Sequence, residues 1–361
     1  MYLYWWVVFF INILFAVGIM LTYLSRSGSE MEVSKSKEPA QSPAKTLVIV
    51  PAKGIDYELE KNLISLRDQT YERFDLIAVV DADTDPAVES LRKVGIKHME
   101  STDICTDCSG KVRAIYSALV KYPDYELYVV ADSDIRAERS WLANLLVPLS
   151  DPTVGVSTTF PIFYPEGGFW SKFKMFWGMV GQSMMESRLT RFVWGGSMAF
   201  RKDILDDTSL ELLSHSISDD IAILRIARSK GLVVSYVPEA RPKIYSKDDF
   251  PTFMEWADRQ TAFSIYSTNK TFSFGMTYYL VSIYLMVSSI VLSVFVSVLF
   301  AVFLFPYFFN SFNSYRKAPV KVWYFLLLTF LLPFVYVFNL MSGMFRKRVV
   351  WRGNTYFLSK N

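Results

Sequence analysis

Cysteine and histidine are nearly absent from this chain of 361 residues, with two of each, and charge is thin, at 20% of positions. Two cysteines cannot form a disulfide framework, which excludes the small stapled folds of secreted domains and is compatible with a reducing cytosol. Lys and Arg (38) nearly cancel Asp and Glu (35), and a formal charge of +3 is too balanced for nucleic acid to be the main partner. What the chain has instead is apolar surface: 52% of residues are hydrophobic, 16% are aromatic and the mean hydropathy is +0.22, which excludes disordered and collagen-like chains. That excess lies mostly at the two ends, so soluble and membrane parts are counted separately.

No charged residue interrupts Tyr2 to Leu24. At about 1.5 Å per residue the run covers a hydrocarbon core of roughly 30 Å. It is an anchor rather than a cleaved signal peptide, because it lacks a basic leader, is too long and ends in no small-x-small cleavage site. Arg26, Lys35, Lys37 and Lys45 follow it, which predicts a cytosolic location for what comes next. Uncharged stretches return at Thr271–Tyr315 and Val322–Phe345. No Gly, Asn or Pro breaks Leu280–Phe305, so one long tilted helix is expected there. Two crossings would bring Arg346, Lys347, Arg348 and Arg352 back to the cytosol and leave Arg316, Lys317 and Lys321 outside, against the charge rule. The expected organisation is an N-terminal transmembrane helix (1–25), a Ser/Pro-rich polar linker (26–45), a cytosolic domain (46–268), two transmembrane helices (269–345) and a basic tail (346–361), a multi-pass membrane protein.

Within 46–268, β-rich runs at Thr46–Val50, Leu76–Val80 and Leu127–Val130 alternate with helical spacing at Glu58–Asp68 and Lys111–Lys121, the pattern of an α/β domain with a parallel sheet. Ligands of such sheets collect beyond the carboxyl ends of the strands. Two strands run into acidic clusters there, Asp81-Ala82-Asp83 and Asp132-Ser133-Asp134. A D-x-D can supply hard oxygen ligands to a divalent cation and leave positions for substrate phosphates, or it can be an Asx-turn. Ser109-Gly110-Lys111 opens a helix and suits an anionic phosphate, or it is the exposed start of a surface helix. Ser218-Asp219-Asp220 reads as a capped helix start, and equally as a place for a general base. Cys105-Thr106-Asp107-Cys108 offers two ligands where structural zinc needs four, and His98 stands isolated, so a loop with two free thiols is expected; His215 reads as structural. Phe169–Arg191, aromatic and Met-rich with scattered cations, is expected at the bilayer surface, where an acceptor lipid could enter, or packed on the sheet.

The ordered set of motifs resembles the ceramide glucosyltransferase branch of inverting glycosyltransferase family two. The set comprises Pro51-Ala52-Lys53-Gly54-Ile55-Asp56, Asp85-Pro86-Ala87, Asp132-Ser133-Asp134-Ile135-Arg136, Gly195-Gly196-Ser197-Met198-Ala199-Phe200-Arg201, Asp219-Asp220 and the Arg259 region. The resemblance covers nearly the whole chain. It implies a GT-A fold, Rossmann-like with a mostly parallel sheet, and a nucleotide diphospho-sugar donor, a UDP-sugar in first place. It implies donor contacts at Lys53, Asp81 or Asp83, Lys111, Asp132 and Arg259, Mg²⁺ or Mn²⁺ on Asp132 and Asp134, and a catalytic base at Asp220. The family's Q/R-x-x-R-W element keeps only its arginine, Arg259, in Trp256-Ala257-Asp258-Arg259-Gln260. Gly195, Gly196, Asp219, Trp256, Gln260, Trp351 and Arg352 are then candidates on the acceptor side. The tail Trp351–Tyr356 resembles an element that packs near the site, or it is a basic patch on anionic lipid. Transfer of a hexose to a lipid hydroxyl is the implied reaction; transfer to a polyprenyl phosphate, processive polymer synthesis, and a scaffold or sensor without catalysis are the other readings.

Overall fold

The computed structural model describes residues 2–27, 44–102, 105, 108–188 and 190–358; apart from 26, 27, 44 and 45, the expected linker, with Lys35 and Lys37, lies outside the described residues. Helix α1 (Tyr2–Ser27) precedes an α/β domain that begins with β1 (Thr46–Pro51), α2 (Leu59–Arg67), β2 (Phe74–Val80), α3 (Ala87–Lys93), β3 (Lys97–Glu100), α4 (Gly110–Lys121) and β4 (Leu127–Ala131). It continues through β5 (Ile135–Arg136), α5 (Trp141–Leu146), β6 (Val154–Thr158), β7 (Ile162–Pro165), α6 (Phe169–Glu186), β8 (Ser197–Arg201), α7 (Asp207–Ser214), α8 (Asp219–Ser229), β9 (Val233–Tyr236), β10 (Lys243–Ser246) and α9 (Phe250–Ser267). Apolar helices α10 (Asn269–Phe295), α11 (Phe305–Lys317) and α12 (Phe325–Phe345) follow, then a hairpin of β11 (Arg348–Trp351) and β12 (Asn354–Phe357).

Seven strands make the main sheet in the order β3-β2-β1-β4-β8-β6-β9. Only β8 runs against the others, paired antiparallel to β4 and β6. A strand's side chains alternate between faces, and here both faces are covered. Val48, Val50, Ala78, Val80 and Val129 join one core, while Leu47, Ile49, Ile77, Val79 and Val130 join the other. The second core is closed by α4 and α8 through Val112, Ile115, Ile223 and Ile226. The first is closed by α2, α3 and α5 and runs on without a break into α6, α9 and α12. A smaller sheet, β5-β10-β7, sits where the first core turns toward the apolar helices.

Helix α6 is the bridge between the two regions. Phe173, Met175, Phe176, Trp177 and Met185 are all buried by protein. Trp177 stacks on Tyr336 of α12 at 4.8 Å, and Tyr336 stacks on Tyr279 of α10 at 4.6 Å. Of the two placements expected for this stretch, the structure shows the packed one, with aromatic residues of α6 against Phe325 and Tyr336 of α12. Beside it, Asp258 of α9 is buried against α12 and accepts hydrogen bonds from Asn339 Nδ2 and Ser342 Oγ, both at 2.7 Å, which a buried carboxylate requires.

Among the described residues, four helical segments are long and apolar enough to cross a membrane: Tyr4–Leu24, Lys270–Phe295, Val298–Lys317 and Phe325–Phe345. The single helix expected over Leu280–Phe305 is broken instead. Helix α10 ends at Phe295, Ser297 accepts from Leu299 N at a new helix start, a 3-10 turn covers Val298–Leu304, and Pro306 opens α11. The stop signals were a capping serine and a proline one residue beyond the run. Lys317, expected on the far side of the membrane, lies 3.3 Å from Glu186 at the end of α6.

Candidate active site

The acidic motifs singled out in the sequence gather at the carboxyl edge of the sheet. Strand β2 delivers Asp81, β4 delivers Asp132 and Asp134, α4 starts at Gly110 and α8 at Asp219. The turn after β1 carries Gly54, whose left-handed backbone (φ 68°) lets its N–H donate to Asp85 Oδ1 at 2.8 Å. Into β8 runs Trp194-Gly195-Gly196, and Asp132 N–H donates to Gly196 O at 3.0 Å.

At the floor, Lys111 is a strut. Its buried ammonium meets Asp132 Oδ1 at 2.8 Å, Asp219 Oδ2 at 3.1 Å and Gly195 O at 3.1 Å. The ammonium thus joins two carboxylates and a carbonyl, although Asp219 Oδ2, charge-paired with it, receives no hydrogen bond. Burial pulls the lysine's pKa down, but the charges of Asp132, Asp219 and Asp220 outweigh it and raise the pKa above the ordinary lysine value. Burial also pushes Asp219 up, against the pull of Lys111. Gly195 is part of the same joint, since a Cβ there would stand 2.4 Å from Asp219 Oδ2.

Asp81 lies at one wall, 2.7 Å from Lys53 Nζ and 3.2 Å from Arg113 Nη2. Burial would raise its pKa, yet Lys53 and Arg113 together hold it below the usual carboxylate value. Asp83 meets His98 Nε2 at 2.9 Å on β3, so His98 is not isolated.

Asp134 is the outlier. One carboxylate oxygen, Oδ1, is buried with no hydrogen-bond partner. Burial, then the charges of Asp132 and Asp56, push its pKa well above the carboxylate range. An orphaned buried carboxylate oxygen next to a second carboxylate is what a divalent cation would satisfy. The described residues hold no group of three or more His, Cys, Asp or Glu placed for a metal, so the protein would offer two carboxylates and leave the other positions open. The residues fit a hard cation that shares its shell with phosphate oxygens and water.

Asp220 stands half-buried in the first turn of α8, its Oδ1 accepting from Ile221 N at 2.8 Å and from the Ser218 hydroxyl. Ser218 occupies the cap position of α8, but its hydroxyl serves this aspartate and not the helix end.

The C-terminal hairpin closes the other wall. Arg352 (φ 48°) and Gly353 (φ 80°) form its two-residue left-handed turn, the geometry that antiparallel strands accept most readily. Arg352 donates to Asp56 Oδ1 at 2.7 Å and to Lys53 O, while Tyr356 OH accepts from Gly110 N at 3.2 Å. Asp56 in turn accepts from Ser133 Oγ at 2.5 Å. Arg352, placed by the resemblance on the acceptor side, thus stands between Asp56 and the Asp132–Asp134 pair, whose charges raise its pKa against the effect of burial. Arg259 joins that neighbourhood: burial, and the like charge of Arg352, lower its pKa. Trp256 lies in the packing between α6 and α9, with its ring 5.1 Å from that of Phe163 and 4.9 Å from that of Trp177. Gln260 is half-buried one turn along α9, and the side chain of Trp351 lies outside the described residues.

Sequence reasoning assigned no part to Arg113 or Asp56. Arg113 shares the first turn of α4 with Gly110, and Asp56 closes the motif that begins at Pro51, but neither position shows its partners until the chain is folded. Cys105 and Cys108, expected as free thiols, are joined in a disulfide just ahead of α4.

The model of glycosyl transferase family 21 matches residues 8–361, so the motif set that resembled family two belongs to family 21. The chain is similar to the mannosyltransferase PcManGT from Pyrobaculum calidifontis, solved with GDP-Man and Mn²⁺, with 15% identity, 93% of this chain and 98% of that chain covered, and a TM-score of 0.58. It is also similar to glucosyl-3-phosphoglycerate synthase from Mycobacterium tuberculosis, solved with Mn²⁺, UDP and phosphoglyceric acid, with 14% identity, 60% of this chain and 78% of that chain covered, and a TM-score of 0.39. The first likeness establishes the GT-A fold; the second is too distant to add to it.

Proposed function

Since the chain belongs to glycosyl transferase family 21, we propose that it transfers a hexose from a nucleotide diphospho-sugar, a UDP-sugar in first place, to a hydroxyl of a membrane lipid, with inversion at the sugar carbon and with its catalytic domain on the cytosolic face. The observation that carries this reading is the meeting of Asp132, Asp134, Asp219 and Asp220 at one sheet edge, with one buried oxygen of Asp134 lacking a partner. Asp220 is the base that takes the acceptor proton, which a single carboxylate on the far side of the sugar suffices to do in a one-step displacement. Asp219 and Lys111 hold the start of α8 and the D-x-D strand in register, so that Asp220 keeps its position relative to Asp132. Arg352 and Arg259 supply positive charge where the leaving nucleoside diphosphate becomes more negative. Asp81, with Lys53 and Arg113, forms the nucleotide end. Asp132 and Asp134 would hold Mg²⁺ or Mn²⁺, which supplies Lewis-acid stabilisation of the diphosphate when bound. GDP-Man with Mn²⁺ in the Pyrobaculum enzyme supports a sugar nucleotide and a divalent ion as a pair.

The lipid acceptor is supported by the continuous core that joins the α/β domain to apolar helices, and the cytosolic side by the cations that follow α1 and by the basic tail lodged at the same cleft. The test is to incubate the purified full chain with a panel of UDP- and GDP-sugars, Mg²⁺ or Mn²⁺, and total membrane lipid, and to identify products by mass spectrometry. A lipid heavier by one hexose, lost on chelation, is expected. Failure to consume any donor under either metal would overturn the proposal.

A further inference from the structure

Three segments of membrane-spanning length lie between the α/β domain and the tail: Lys270–Phe295, Val298–Lys317 and Phe325–Phe345. The tail comes back to the cleft, where Arg352 bonds Asp56 and Tyr356 bonds Gly110. A chain that leaves a domain on one side of a bilayer and returns to it crosses an even number of times, so at least one of the three does not cross.

Val298–Lys317 pairs with α10 as a return crossing. Near its start, Phe300 and Phe303 meet Phe9 of α1, with ring centroids 5.4 and 4.9 Å away. At its end, Lys317 meets Glu186, and both line one cavity with Tyr23 of α1. Phe9 and Tyr23 are separated by about 21 Å along α1, at about 1.5 Å per residue.

Helix α12 behaves differently, because the α/β domain holds it at both ends. Just before its first turn, Tyr324 stacks on Phe169 at 5.7 Å, and Phe325 packs on Phe176 at 4.9 Å. Tyr336 stacks on Trp177 at 4.8 Å, and toward the end Asn339 and Ser342 bond Asp258. These partners stand on α6 and α9, which are fastened to the α/β domain: Lys174 of α6 pairs with Asp248 at 2.8 Å, Gln182 accepts from Arg241 at 2.9 Å, and Trp170 stacks on Phe253 of α9 at 5.6 Å. A helix of 21 residues is about 31 Å long. Crossing a bilayer would carry one of its ends away from the domain.

The opposite face of α12 is uncovered and apolar. Leu327, Leu331, Phe334, Phe338, Met341 and Phe345 are exposed and recur at steps of three and four, which makes one stripe along the helix. Trp323, 94% exposed, stands at its head. Arg316, Lys317 and Lys321 precede the helix, and Arg346, Lys347 and Arg348 follow it. An apolar stripe between a tryptophan and two groups of cations suits an interface of acyl chains and anionic head groups.

We infer that α12 lies in the plane of the cytosolic leaflet, with its stripe among the acyl chains and the flanking cations at the head groups, so that only α1, α10 and Val298–Lys317 cross. The partner of this surface is the anionic leaflet itself. Arg316, Lys317 and Lys321 then fall on the cytosolic side, where the charge rule puts them. The hairpin that brings Arg352 to Asp56 follows α12 directly, so the same contact seats the cleft against the bilayer. The inference rests on the cytosolic placement proposed above and does not depend on sugar transfer.

The experiment uses the full chain in vesicles of phosphatidylcholine and phosphatidylserine, with a nitroxide attached to a single cysteine introduced in turn at each of the six stripe positions. The native cysteines are joined to each other and do not take the label. Collision with oxygen, compared with a water-soluble nickel complex, reads depth. Six similar depths, roughly 5–10 Å below the head groups, are expected. A depth that climbs to about 15 Å at Phe334 and falls again toward Leu327 and Phe345 would describe a crossing helix and overturn the inference. Sidedness is read in sealed membranes with the cytosolic face outward, using a membrane-impermeant thiol reagent on Asp124→Cys, Val298→Cys and Trp323→Cys. Trp323→Cys should react together with Asp124→Cys of the α/β domain, and Val298→Cys only after the membrane is opened. Reaction of Trp323→Cys only together with Val298→Cys would overturn the in-plane helix alone. Reaction of Asp124→Cys and Val298→Cys from one side would sink the membrane placement and the inference with it, whereas glycolipid formation by the same preparations reports on the transferase reading separately.

Discussion

Lys111→Met separates two accounts of the α4 start. In the structure the lysine neutralises the buried carboxylate of Asp219 and the partly exposed one of Asp132 and bonds a carbonyl, Asp132 Oδ1 at 2.8 Å, Asp219 Oδ2 at 3.1 Å and Gly195 O at 3.1 Å. Removing one partner of a buried ion pair costs about 3–5 kcal/mol, because the other charge stays behind unpaired. With about 2–4 °C lost per kcal/mol in a domain of this size, the apparent unfolding midpoint should fall by roughly 6–20 °C. A thermal scan of the purified protein in detergent, at a fixed heating rate because such unfolding is commonly irreversible, reads this directly. Adding Asp219→Asn to Lys111→Met should recover part of the loss, since it removes one of the two stranded charges. If Lys111→Met leaves the midpoint unchanged and abolishes nucleotide binding, the strut account fails and the lysine is a phosphate ligand, as the sequence alone suggested.

Further outcomes follow from the same geometry. Asp132→Ala and Asp134→Ala should each weaken metal-dependent nucleotide binding about tenfold or more, read by titration with Mn²⁺ and UDP, while metal-independent binding stays. Metal affinity should weaken as pH falls from about 8 to 6, because the raised pKa of Asp134 makes protons compete with the cation in a range where an ordinary carboxylate is already ionised. Calorimetry in buffers of different ionisation enthalpy should therefore detect proton release on metal binding, and a pH-independent affinity would contradict the assignment. Arg352→Gln removes a charge-assisted hydrogen bond to Asp56, 2.7 Å long, and should raise the donor KM by about tenfold or more.

The strands were legible because apolar runs ending in Asp81 and Asp132 can be read without tertiary information, and the D-x-D position follows from them. Where local chemistry and tertiary contacts diverge, the reading faltered. A lysine at a helix start suggests a phosphate, but three acceptors arriving from Asp132, Asp219 and Gly195 claim it, and none is within twenty residues of it in the chain. Aromatic residues in α6 suit a bilayer surface as well as a protein interior, and the choice was made by Tyr336 and Phe325, far along the chain. The break after Phe295 was a matter of weighting, since Ser297 and Pro306 are ordinary helix-boundary residues that a hydrophobic count passes over. Arg352 was legible as a residue of interest, but its side of the cleft depended on the left-handed turn that aims it at Asp56.

The most direct measurement is the anomeric configuration of the transferred sugar, read by the proton coupling constant of the purified glycolipid, in wild type and in Asp220→Asn. An α-linked donor should give a β-linked product, and Asp220→Asn should form none while still binding the nucleotide sugar. Retained configuration, or full turnover by Asp220→Asn, would contradict the account.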